Sequence, residues 1–165
     1  MEEKNNSETV DEKIQRLNLN SHDAKTFSVL VIDDDSWTTR IISKFLESCG
    51  FNVFYALNPY DGIALAVKHQ PAIVFLDLLM PEIYGNTVLK ILKKIEQTAE
   101  IPIVILSANF DEKFLAETYR DGAAGFISKP FTKSILVRKV EDSLGFPVFS
   151  FFGIDIHITK DDEIK

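Results

Sequence analysis

Five polar side chains stand where apolar runs end: Asp33 and Asp34 after residues 27–32, Asp77 after 73–76, Ser107 after 101–106 and Lys129 after 125–128. Each taken alone reads equally well as a residue opening a surface turn. Taken as strand ends of one parallel sheet, they share its carboxyl edge, the crevice in which open α/β sheets hold their ligands. Three carboxylates brought within a few ångströms would raise one another's pKa and stay ionised only beside a cation. An all-oxygen acidic cluster suits Mg2+, which takes few protein ligands, keeps waters and completes its octahedron with phosphate oxygens. The Lys129 ammonium and the Ser107 hydroxyl add a positive charge and a donor. The chemistry implied is phosphoryl transfer onto Asp77, with a metal and Lys129 stabilising charge on the three equatorial oxygens.

The elements that must place these residues alternate between strand and helix. Residues 27–32 are rich in β-branched side chains and run straight into Asp33-Asp34-Asp35. Ser36 is placed to cap a helix in which Ile41, Ile42, Phe45 and Leu46 recur at helical spacing and which ends at Gly50. Residues 51–56 predict a second strand and 61–69 a second helix, with Ile63, Ala64 and Ala66 facing inward. The run 73–76 lacks polar alternation and reads as a strand buried on both faces. A loop at 78–85 feeds a helix at 86–97 whose buried stripe is Val88, Leu89 and Leu92. A fourth strand at 101–106 is followed by a helix at 111–120 carrying Phe114 and Leu115. The last pair is a short strand at 125–128 and a helix at 132–144 with Ile135, Leu136 and Val140 inward. Five strands alternating with five helices predict an α/β fold, a doubly wound parallel sheet with helices on both faces.

The 165 residues suit one ordinary domain with tails, and a hydrophobic fraction of 45% is enough for one substantial core. The domain is placed at 27–145. Residues 1–26 are too polar to bury much surface and predict a mobile arm, with a short amphipathic turn at 12–19 as the lesser reading. Residues 146–165 form an aromatic extension and a charged tail. Ile154, Ile156 and Ile158 alternate with polar residues, as in a strand returning over the domain's own surface; a self-association or partner site is the competing reading. The extension is too short to span a bilayer, which needs about 20 apolar residues, so no membrane association is expected. One cysteine, Cys49, and no visible secretory segment fit a cytoplasmic location. The net charge of -7 argues against direct binding of nucleic acid, which needs a basic footprint.

The segments Val31-Ile32-Asp33-Asp34-Asp35, Phe75-Leu76-Asp77-Leu78-Leu79-Met80-Pro81, Ile105-Leu106-Ser107-Ala108 and Phe126-Ile127-Ser128-Lys129-Pro130-Phe131 stand in the order and spacing of a known family. Over about 27–144 the chain resembles the receiver domains of two-component response regulators, the CheY-like superfamily. The resemblance implies a flavodoxin-like sheet of strand order 2-1-3-4-5. It further implies that Asp77 is the phosphoacceptor and that Asp33 and Asp34 hold Mg2+ together with the Asp77 carboxylate and the Leu79 backbone carbonyl. Ser107 and Phe126 would be the switch residues, Lys129 would bridge the acyl phosphate to the acidic pair, and the Lys129-Pro130 bond would be cis. Ser107 stands where threonine is usual, Tyr84 where the family often has Asp, and Phe126 lacks a phenolic hydroxyl. Leu79 and Asn109 sit where the family tunes dephosphorylation.

The function so implied is a stand-alone receiver, which catalyses only its own phosphorylation and dephosphorylation. Its phosphoryl donor would be a sensor histidine kinase or a histidine phosphotransfer protein. Output would go to an unidentified downstream protein, through the face of the fourth helix, fifth strand and fifth helix or through the C-terminal extension, either of which could also form a homodimer. Two alternatives stand beside it. One is a receiver-like scaffold that acts without phosphorylation. The other is an aspartate-nucleophile phosphatase resembling the haloacid dehalogenases, with Asp33 as nucleophile and Asp35 as acid, which leaves Asp77 unexplained. Asp35 reads as a solvated loop charge, Trp37 as a residue packed on the first helix, Thr39 and Arg40 as surface positions, and Cys49 as a small core residue. His22, His69 and His157 show no metal-ligand spacing.

Overall fold

The computed structural model describes residues 27–108, 111–145, 147–151 and 163–164. The arm predicted at 1–26, Asn109 and the alternating Ile154, Ile156 and Ile158 lie outside the described residues. The elements in chain order are β1 (Ser28–Ile32), α1 (Ser36–Ser48), β2 (Asn52–Ala56), α2 (Pro59–His69), β3 (Ile73–Asp77), α3 (Gly85–Lys94), β4 (Ile103–Ser107), α4 (Glu112–Arg120), β5 (Gly125–Ser128), β6 (Phe131–Thr132), α5 (Lys133–Leu144), α6 (Val148–Phe151) and β7 (Glu163–Ile164). The first five strands form one parallel sheet in the order β2-β1-β3-β4-β5. This is the doubly wound fold that the sequence predicted, in the strand order that the resemblance implied.

Period-two alternation along apolar strands divides the core into two layers. Val29, Val31, Ile73, Phe75, Val104 and Leu106 face one way, toward Ile42 and Leu46 of α1 and Leu136, Val140 and Leu144 of α5. Leu30, Ile32, Val74, Leu76, Ile103 and Ile105 face the other, toward Ala66 of α2 and Val88, Leu89 and Leu92 of α3. The register aligns the strand ends: Asp77 lies opposite Leu106 and Ser107 opposite Ser128. All five residues singled out for chemistry therefore leave the sheet at one edge.

Several local readings are corrected by packing and capping. Ser36 is not the cap of α1; Asp35 is, its carboxylate accepting the amides of Trp37 and Thr38 at 3.0 and 3.2 Å. Two oxygens on a short side chain serve two orphan amides at once, which one hydroxyl cannot do. α2 begins two residues early, at Pro59, because Asn58 caps it and proline fits the first helical turn. Ala64 is exposed, and the inward positions of α2 are Pro59, Gly62 and Ala66. Ile135 is 46% exposed, since α5 turns Leu136, Val140 and Leu144 to the sheet. Trp37 is 59% exposed rather than packed on its helix, while Thr39 is buried and donates its hydroxyl to the Ser36 carbonyl at 3.0 Å. Beyond α5 the core continues: Val148 and Phe149 of α6 are buried, and Phe149 meets the Phe51 ring edge-on at 5.3 Å.

Candidate functional site

Each site residue is delivered by a strand that cannot easily move. β1 is buried from Val29 onward, and its continuation is tied to β2 by the Asp33 amide, which donates to the Ala56 carbonyl at 3.1 Å. Asp33 is buried, Asp34 is exposed, and Asp77 and Ser107 are buried at the ends of two strands that are buried throughout. The Lys129 amide donates to the Ser107 carbonyl at 2.9 Å, so the loop leaving β5 stays beside β4. The Lys129-Pro130 bond is cis, as the resemblance implied.

The Lys129 ammonium sits between two carboxylates, 2.6 Å from Asp33 Oδ2 and 2.7 Å from Asp77 Oδ1. The remaining oxygens are held by backbone. The Asp35 amide donates to Asp33 Oδ1 at 2.9 Å and the Leu79 amide to Asp77 Oδ2 at 2.7 Å. Asp33, Asp34 and Asp77 each offer a carboxylate oxygen, all within 4.8 Å of one another. Burial pushes the Asp33 carboxyl up to about 6, with the Lys129 hydrogen bond and charge pulling against it. For Lys129, burial disfavours the ammonium, but its bonds to Asp33 and Asp77 outweigh that and raise its pKa. The Thr38 hydroxyl, at 2.6 Å, holds the Asp35 carboxyl below its usual range.

The acidic donors fit a hard divalent cation: three carboxylates from two strand ends, two of them held by the half-buried Lys129 ammonium. The Leu79 carbonyl is the fourth ligand that the resemblance implied. Leu79 is tied to Asp77 through its amide, and its side chain is 60% exposed. It lines a cavity of about 270 Å³ with Leu78, Ser107, Asp111 and Phe114. Phe126, for which the resemblance implied a switch role together with Ser107, is half-buried and meets the Tyr119 ring edge-on at 4.7 Å.

Two contributions were missed in the sequence, the close approach at Gly85 and the capping role of Asp35, which reads there as a solvated loop charge. Gly85 closes the loop after Asp77, its amide donating to the Leu78 carbonyl at 3.0 Å. A Cβ there would lie 2.6 Å from Leu78 Cα and collide with the Asp77 carbonyl, so the close approach requires glycine. Asp35 is the other. Its capping role was legible as an acid at the last position before an apolar-periodic run, a pattern that an adjacent serine obscured.

A doubly wound sheet of order β2-β1-β3-β4-β5 with a lysine-bridged acidic cluster at its carboxyl edge is the arrangement of a receiver domain. The sequence model for the response regulator receiver domain matches residues 29–141, and the chain belongs to that family. The DNA-binding dual master transcriptional regulator RpaA of Synechocystis sp. is 35% identical over 112 residues, covering 68% of this chain and 46% of RpaA. The transcriptional regulatory protein SrrA of Staphylococcus aureus is 29% identical over 113 residues, again 68% of this chain and 46% of that protein. The chain thus spans about half the length of these curated relatives. Among solved structures, the chemotaxis protein CheY4 of Vibrio cholerae matches with a TM-score of 0.67 at 25% identity, over 70% of this chain and 96% of CheY4. Among the described residues, no helix is long and apolar enough to cross a membrane.

Proposed function

We propose that this receiver domain is a phosphoacceptor switch in a two-component pathway, with Asp77 as the acceptor and a phosphohistidine on a kinase or phosphotransfer protein as the donor. The observation that carries this reading is the Lys129 ammonium shared by Asp33 and Asp77 at 2.6 and 2.7 Å. An Asp77 carboxylate oxygen attacks the phosphorus, the new O–P bond forms as the N–P bond of phosphohistidine breaks, and the departing imidazole nitrogen is protonated. The backbone amide of Leu79 and Lys129 fix the nucleophile's orientation, and Lys129 offers positive charge to the developing oxyanions. Asp33, Asp34 and Asp77 would hold Mg2+, which neutralises phosphoryl charge and supplies the remaining electrostatic stabilisation. The Ser107 hydroxyl, buried beside Asp77 on the neighbouring strand, is the group that turns toward the phosphoryl oxygens, and Phe126 repacks behind it. That repacking is a population shift on the face of α4, β5 and α5, where α4 has Thr118 as its only buried residue.

The domain catalyses only its own phosphorylation and dephosphorylation, and it works in the cytoplasm. The expectation of a stand-alone protein finds no support in relatives where the matched segment is about half of a longer regulator. Relatives named as DNA-binding or transcriptional conflict with the expectation of no direct nucleic-acid binding; the acidic charge speaks only for these 165 residues, and a transcriptional output is the natural destination of the signal. The phosphatase alternative leaves Asp77 unexplained, and the Asp35 carboxylate that it needs as an acid instead caps α1. Intact mass after incubation with Mg2+ and acetyl phosphate tests the proposal. One added phosphoryl group is expected in the wild type and none in Asp77→Asn; equal labelling of both would overturn the assignment, and labelling of neither would favour the phosphorylation-independent scaffold.

A further inference from the structure

The described C-terminal residues return to the domain at two places. α6 is seated near the start of β2, where Phe149 meets Phe51 and its amide donates to Glu141 Oε1 at 3.3 Å. β7 lies at the opposite, carboxyl edge of the main sheet. It pairs antiparallel with β6, Ile164 opposite Phe131 and Glu163 opposite Thr132. β6 begins two residues after Lys129, the residue whose amine holds Asp33 and Asp77 together. Among the described residues β7 is the only strand that pairs with β6.

We propose that β6 is a strand-docking edge, held in cis by residues 163–164 of this chain, and that its occupancy is coupled to the state of Asp77. The inference rests on Asp77 being the phosphoacceptor. The segment from Lys129 to Thr132 is anchored at each end. The Lys129 amide is bound to the Ser107 carbonyl, Phe131 is buried in the core, and the Thr132 hydroxyl accepts the Ile135 amide to cap α5. A phosphoryl group on Asp77 carries its anionic oxygens outward from the carboxylate that Lys129 now contacts, so the ammonium must follow. Two peptide units separate Lys129 from Phe131, so strain from re-aiming the lysine falls on a short segment whose weakest attachment is the two-residue pairing with β7. A ladder of two residues has few hydrogen bonds to lose, so a small shift empties it. The vacated edge presents backbone donors and acceptors beside the phosphorylation site, and the partner it fits is an extended peptide segment adding as a strand.

Coupling of this kind is reciprocal: whatever factor the phosphorylated state takes from β6–β7 pairing, the pairing takes from the phosphorylated state. The test uses beryllofluoride with Mg2+ as a stable stand-in for the phosphoryl group, on the full chain, on a chain ending at Lys160, and on Ile164→Pro in the full chain. All three retain α6. In the full chain, beryllofluoride is expected to speed amide exchange at residues 131–132 and 163–164 by about fivefold, and both altered chains to bind beryllofluoride about fivefold more tightly. A synthetic peptide of residues 159–165 added to the shortened chain is expected to reverse its gain. Equal beryllofluoride affinity in all three chains, with exchange at 163–164 unchanged, would overturn the coupling while leaving the acceptor assignment intact. Absence of beryllofluoride binding in every chain would overturn both.

Discussion

On the proposed reading, the elevated pKa of Asp33 predicts Mg2+ binding that depends on pH in a range where an ordinary aspartate would be silent. Asp33 is fully buried, and desolvation raises its carboxyl from 3.8 to about 6 against the pull of Lys129. Only the carboxylate can hold Mg2+, so the apparent dissociation constant grows as the protonated fraction grows. With a pKa of about 6 it rises about tenfold between pH 7.5 and pH 5, whereas a pKa near 3.8 would leave it nearly flat. Trp37 supplies the readout: it is the single tryptophan, exposed, and its amide donates to the Asp35 carboxylate immediately beyond the acidic pair. The experiment is a Mg2+ titration of Trp37 fluorescence at half-unit pH steps. A dissociation constant that changes less than twofold over the range would refute the buried, partly protonated Asp33.

The same group sets a sign for metal-free stability. Between its unfolded value of 3.8 and its folded value of about 6, Asp33 binds more protons in the native state, so stability falls as pH rises through this window. The full difference corresponds to about 3 kcal/mol, and it is the part that bound Mg2+ would offset above pH 6. Thermal unfolding with chelator is therefore expected to show this contribution declining from pH 4 to pH 6, and the increment from Mg2+ growing over the same interval.

Four substitutions probe the remaining parts. Lys129→Met leaves two buried carboxylates without their cation, and should cost about 3 kcal/mol in chelator while moving the pH dependence of Mg2+ binding upward; urea unfolding and the Trp37 titration read both effects. Gly85→Ala forces a methyl group into the Asp77–Leu78 backbone, and should destabilise by about 3 kcal/mol and abolish acetyl phosphate labelling, seen by unfolding and intact mass. Phe149→Ala removes a buried ring from the α1–α5 layer and should cost about 3 kcal/mol in urea unfolding, yet leave labelling of Asp77 unchanged because the ring packs away from the carboxyl edge. Asp35→Ala deprives two amides of their cap and should cost about 1 kcal/mol without abolishing labelling.

Residues whose identity is dictated by the sheet were the ones readable in advance. Apolar runs without alternation announced strands buried on both faces, and polar residues ending those runs had one shared edge at which to stand. Positions set by the angle at which a helix meets the sheet were not readable. Ala64 and Ile135 fit a helical stripe on paper, but a few tens of degrees of rotation decide whether Gly62 and Ala66, or Leu136 and Val140, take the inward place. The same holds for Trp37 and Thr39, whose sizes suggest the reverse of their observed burial. Close approach was also hidden: Gly85 reads as one more loop glycine until the Asp77 carbonyl is seen against it. The pairing of β6 with β7 joins residues more than thirty positions apart in two-residue strands, too short for any periodicity to announce.

On the proposed reading, the division between a rigid site and a loose output face follows from where the burial lies. β3 and β4 are buried from end to end and hold Asp77 and Ser107 in fixed register, so the acceptor is preorganised. α4 contributes one buried residue, Thr118, and its Tyr119 rests against Phe126 with its other surface exposed. A change of charge at Asp77 therefore meets stiff resistance in the strands and little in α4. Replacing Phe126 by alanine should separate the two. Mg2+ affinity and acetyl phosphate labelling depend on the strand ends and should stay within about twofold, while amide exchange along α4 should rise whether or not Asp77 is phosphorylated. Exchange in α4 that still responds to phosphorylation as it does in the wild type would place the relay elsewhere than Phe126.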